Sequence, residues 1–216
     1  MNPLQIHPID FFSKWFAEPI KPSDYSMIGI MTAIDKHPIS QEEPSQDGIV
    51  PLEYSRLDPG HFRIFVENQE VFTCFVLAED ELKADPPVYF ESCLDLAEDY
   101  GFKSSEIIDG SYVLLCERFS DFLWHMLGHI ISVRDISSDL FANNVNGITF
   151  DPYRERKLEL DDSFICPMNR EFPSSYTCYV SDRVICTPGW GAAFLNEEAC
   201  TEFIDKYSPL VSDRWS

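Results

Sequence analysis

The sequence predicts an α+β fold, a single domain with a largely antiparallel sheet flanked by helices. Three observations lead there. Two apolar runs, 61–66 and 71–77, flank the polar stretch Glu67-Asn68-Gln69-Glu70, which is a hairpin signature with a four-residue connection. Phe119, Phe122, Leu123, Met126, Leu127, Ile130 and Ile131 recur at i, i+3, i+4, i+7, which is helical spacing. Strands and helices interleave without regular βαβ alternation, which disfavours a parallel sheet.

Taken in chain order, Phe11, Phe12, Trp15 and Phe16 fall on one helical stripe that Pro19 should end. Residues 35–60 are rich in Pro, Ser and acids and read as a long surface loop with one short extended piece. After the hairpin, "LAEDELKAD" reads as a charged loop. Pro86 and Pro87 lack ladder N–H donors, so they suit the start of a third strand over 88–91 rather than its middle. Residues 94–109 fit a short helix around 95–100, and 112–117 reads as a strand or as a lead into the next helix. Ser120 is placed to cap that helix. Farther on, "ANNVNG" reads as a turn and "RERKLELDD" as a charged, extended piece. "YTCYVSDRVICT" is a second hairpin candidate, and a glycine-loosened strand then leads to a last helix with Asn196 as N-cap and Glu197 and Glu198 in its first turn.

The chain has 216 residues, enough for one domain with a proper core. Thirty-seven Asp and Glu against 16 Lys and Arg give a formal net charge of -21. Such a field repels phosphate backbones and anionic lipid and attracts basic partners, so direct nucleic-acid or membrane-surface binding is not expected. Seven cysteines form no C-x-x-C pair and sit mostly in apolar runs, a usage that fits a reducing cytoplasm. No basic-then-apolar leader opens the sequence and no run of 18 apolar residues occurs, so neither a signal peptide nor a membrane span is expected.

The candidate chemistry is thin. Asp121, His125 and His129 lie four apart along the 119–131 helix, and two His at i and i+4 can chelate zinc. That stripe is opposite the apolar one, so it reads as a solvated face, and no metal site is assigned. Cys186 precedes "TPGWG", but an apolar strand is a poor place to activate a thiol. No G-x-S-x-G, Walker or dinucleotide-binding pattern occurs, and no catalytic residue or cofactor is assigned.

"HFRIFVENQEVFTCF" (61–75), "DPPVYF" (85–90) and "RFSDFLWHML" (118–127), in that order and spacing, resemble a block of the bacterial SUKH superfamily. The resemblance covers about residues 60–131, within one domain spanning 1–216 in which 140–175 is poorly matched and fits an insertion. The chain departs from the family pattern at Glu70, where Gly is common, and at Cys74, where an aromatic residue, often Trp, is common. The resemblance implies a non-enzymatic protein-binding domain, an immunity protein that neutralises a cognate bacterial toxin, such as a nuclease, by direct contact. A regulatory module of the same fold with an endogenous partner is the alternative, and a metal-dependent hydrolase using the helical His residues is a more distant one. On this reading Glu67, Asn68, Gln69, Asp85, Pro86 and Pro87 build the hairpin motif. Asn68 takes the turn's unusual backbone angles there, and side-chain amides satisfy orphan backbone groups. Partner contacts are expected from the acidic loops at Glu42, Glu43, Asp47, Glu79, Asp80, Glu81 and Asp85, with Glu67 beside them. The oligomeric state is not legible.

Overall fold

In the computed structural model, residues 6–41, 48–56, 59–67, 72–92, 106–108, 112–133, 141–142, 146–150, 160, 162–166, 177–187, 191–207 and 211–215 are described. The chain divides into two compact units, one of Ile20–Phe122 and one of Met1–Pro19 with Leu123–Ser216. Each has its own antiparallel sheet, so the α+β class holds while the expected strands are shared between two sheets.

In the Ile20–Phe122 unit, β1 (Gly48–Ile49), β2 (His61–Val66), β3 (Phe72–Leu77), β4 (Val88–Ser92), β5 (Ile107–Ile108) and β6 (Tyr112–Cys116) form one sheet in the order β1-β2-β3-β4-β6-β5. Alternation along a strand sends every second side chain to one face, and Phe62, Ile64, Phe72, Cys74, Val76, Val88, Phe90, Val113 and Leu115 are all buried. Between β2 and β3 the register shifts from Arg63↔Phe75 to Phe65↔Cys74. That extra residue is a bulge, and it lets the adjacent Ile64 and Phe65 both be buried. Phe75 has an aromatic cluster around it. His61 stacks on it at 3.9 Å, and Tyr89 and Tyr112 lie at 5.8 and 5.4 Å. A strand flanked on both sides in the sheet and apolar on both faces is the most protected kind, and β3 is that strand.

Three short helices also belong to this unit: α2 (Met27–Lys36), α3 (Pro38–Gln41) and α4 (Leu52–Ser55). α3 and α4 correct the reading of 35–60 as a surface loop, while β1 supplies the one short extended piece expected there. Ser26 caps α2 by accepting from Gly29 N–H at 3.1 Å, His37 Nδ1 accepts from Ile39 N–H at 3.2 Å, and Asp35 accepts from Leu52 N–H at 3.1 Å. Short polar side chains closing local turns are what composition alone mistakes for loop.

In the other unit, α1 (Pro8–Ser13) is shorter than its apolar stripe predicts. Trp15 and Phe16 follow it, buried, because the backbone there turns into an antiparallel bridge between Phe16 and Phe141, with Ala142 N–H donating to Trp15 carbonyl at 3.0 Å. The second sheet runs β11-β7-β10-β9-β8, from β7 (Asn146–Phe150), β8 (Tyr179–Val180), β9 (Val184–Thr187), β10 (Gly191–Phe194) and β11 (Val211–Trp215). Asn146 and Gly147 are therefore in a strand, not in the expected turn. The β8–β9 hairpin closes at Ser181, whose N–H donates to Val184 carbonyl at 2.8 Å. α6 (Glu197–Tyr207) starts as expected, with Asn196 Oδ1 accepting from Ala199 N–H at 2.9 Å. It presses Ala199, Cys200, Phe203 and Tyr207 onto Val184, Cys186, Ala192 and Phe194.

The long helix α5 (Phe119–Val133) opens at the end of one unit and continues in the other. Its start is Phe119, so Ser120 lies in the first turn and does not occupy the cap position. The missing cap comes from Asp85, whose two carboxylate oxygens accept from Ser120 N–H and Ser120 Oγ–H, each at 2.7 Å.

Candidate functional site

The first site to weigh is the charged segment between β3 and β4. Ala78–Asp80 forms a single 3-10 turn, and Ala78 N–H donates to Gly60 carbonyl at 2.9 Å. Asp80, expected as a partner contact, is instead buried at 7 % exposure, with Lys83 Nζ 2.6 Å from its carboxylate. A carboxylate in so dry a position needs a counter-charge, and Lys83 three residues on is within reach. The hydrogen bond to Asp80 also raises the Lys83 pKa. Glu81 is likewise committed: it pairs with Arg56, whose Nε donates to Glu81 Oε2 at 3.3 Å. Asp85 holds the start of α5, as described. Of the four acids expected here as contacts, Glu79 alone is exposed without one of these assigned ties. The others hold the segment in shape.

What that shape presents is apolar. Leu82 is 91 % exposed, far above Tyr25 at 53 % and Tyr54 at 50 %, the next most exposed large hydrophobics among the described residues. Burying a leucine side chain is worth roughly 1.5–3 kcal/mol, so a leucine left in water forgoes that stabilisation. The segment is pinned on both sides of it. On one side stands the Arg56–Glu81 pair; on the other, Met27 N–H donates to Ala84 carbonyl at 3.0 Å. The sequence reading missed Leu82, Tyr25 and Tyr54. The available signal was that Leu82 is the one large apolar residue in "AEDELKAD".

The hairpin motif is met in part. Glu67 N–H donates to Phe72 carbonyl at 3.1 Å and closes the β2–β3 connection, and Pro86 and Pro87 precede β4 as expected. Asn68 and Gln69, with Glu42, Glu43 and Asp47, lie outside the described residues.

The histidine stripe is a correction. His125 and His129 are 1 % and 5 % exposed, not solvated. His125 Nδ1 accepts from Cys178 N–H at 3.2 Å, a bond across 53 residues of chain, and Ser132 Oγ lies 2.6 Å from Thr187 Oγ1. Asp121 is bound by Arg118, at 2.9 and 2.7 Å. Among the described residues no group of three or more His, Cys, Asp or Glu side chains is arranged to hold a metal. Burial pushes the Cys178 and Cys186 thiols well above their ordinary pKa, and Cys116 likewise, which suits packing rather than nucleophilic attack. A cleft of about 210 Å³ beside α6 is lined by Arg183, Glu202, Phe203 and Tyr207, but Arg183 is already forked between Glu198 at 3.3 Å and Glu202 at 2.7 Å.

No helix among the described residues is long and apolar enough to cross a membrane. Comparison with protein-family models, with curated proteins and with solved structures finds no match in any of the three.

Proposed function

We propose that this protein acts by binding another protein and carries out no chemistry of its own, and that it is an immunity protein neutralising a basic toxin domain by direct contact. The observation that carries this reading is the anchored acidic segment 78–85, which uses most of its carboxylates to hold an apolar tip out in water. An enzyme concentrates its committed polar groups around a cleft. Here they are spent fixing a protrusion.

Two further facts support the reading. The net charge of -21 steers a basic partner toward the chain, and such steering raises association rates by about 10- to 1,000-fold at low salt. Many toxins that cut nucleic acid need a cationic groove, and an acidic protein competes with phosphate for it. The sequence block that resembles the SUKH superfamily falls on β2, β3, β4 and the start of α5.

The test is co-expression with the products of the genes beside its own. Growth should be rescued from one toxic neighbour, and the purified pair should associate more weakly as salt rises. If no neighbouring product is toxic, bound or neutralised, the immunity reading fails.

A further inference from the structure

We propose that the segment 78–85 is the docking site, with Leu82 as its central anchor in an apolar socket on the partner and the flanking acids meeting basic residues around that socket. The inference rests on the protein-binding reading above and names the surface that reading leaves open.

Two features meet in this segment. Leu82 projects at 91 % exposure from a segment whose backbone is fixed on both sides, by Arg56–Glu81 and by Met27 N–H on Ala84 carbonyl. A fixed apolar projection loses little freedom when it docks, which is what distinguishes an anchor from a floppy tip. Along the segment, exposed Glu79 and the committed Asp80, Glu81 and Asp85 outnumber Lys83 and the paired Arg56. The patch is thus an apolar centre in an anionic rim, and its complement is an apolar socket in a cationic rim. A second copy of this chain, with its own acidic rim, is a poor occupant; a basic protein is a good one.

The experiment uses the full chain and a phage-displayed library of random dodecapeptides, selected at low salt and then measured singly against variants. Enriched peptides should combine Lys or Arg with large apolar residues. Their binding should fall by about tenfold or more in Leu82→Asp, the loss expected on removing a central anchor. Leu82→Asp adds an acid, so simple attraction between opposite charges predicts tighter binding of cationic peptides, and a loss therefore isolates the apolar contact. Asp205→Asn, an exposed acid on α6, should leave binding unchanged. Because Leu82 is already in water, the variant should unfold at the same temperature as the parent. Peptides that bind Leu82→Asp as well or better overturn the docking site, as does a selection that enriches nothing. The growth-rescue test judges the wider reading separately, so the two can fail independently.

Discussion

Two polar stretches, the acidic segment 78–85 and the histidine stripe of α5, look alike in the sequence and have opposite fates. Both interrupt apolar runs, and both read as solvated. The histidines are among the most buried polar side chains described, and His125 accepts from the backbone of Cys178, 53 positions away. The acids remain near the surface, yet most are tied to neighbours, and the residue they leave exposed is a leucine. The difference teaches that a polar residue's neighbours in sequence say little about whether water or protein satisfies it.

The sharpest way to break the comparison is at Gly128. A Cβ there would collide with Cys178 Sγ, so Gly128→Ala should destabilise the protein by about 3 kcal/mol in urea unfolding, the range of an overpacked core. Helix propensity alone predicts the reverse, a gain of about 1 kcal/mol, and observing that gain would mean the helix does not sit against residue 178. Next in size, His125→Leu fills similar space but leaves Cys178 N–H buried without its acceptor. The expected loss is about 2 kcal/mol, and a neutral result would show that the ring is not needed as an acceptor.

On the acidic side the effects are smaller. Asp85→Ala removes the cap that reaches α5 across 35 residues and should cost about 1 kcal/mol with loss of protection at the amides of the helix's first turn; unchanged amide exchange there would reject the capping role. Smallest is a pH effect at Asp24. Hydrogen bonds donated by Ser26 hold the Asp24 carboxyl below its ordinary pKa. Its contribution to stability is therefore complete above the ordinary carboxylate range and is lost as pH falls through the lowered value. Asp24→Asn should flatten that acid-side decline slightly, and an identical pH profile for parent and variant would count against it.

How much was legible divides along the same line. The β2–β3 and β8–β9 hairpins, the strand after Pro87 and the Asn196 cap were readable because each is settled by residues within a few positions. α2 went unread and α1 was overdrawn: Ser26 and Asp24 start the one locally, and the Phe16–Phe141 bridge curtails the other from far along the chain. The two sheets could not be told apart because β7 pairs with β10 and β11, more than 40 residues on. For the candidate site, the acidic segment was visible and its roles were not. Asp80 was expected outward and turns inward, while Leu82 was passed over because exposure is not written in residue type.

The sequence by itself determined the class of fold, the local hairpins and the Asn196 cap, and the strong negative field, since these depend on periodicity, short-range hydrogen bonding and summed charge. Only the tertiary structure decided that α5 is enclosed on its histidine side, that Asp85 caps a helix 35 residues on, and that a leucine stands in the water among acids. Those outcomes depend on which distant backbone group arrives beside a side chain, and the free energy of satisfying or stranding a polar group is fixed only when it does.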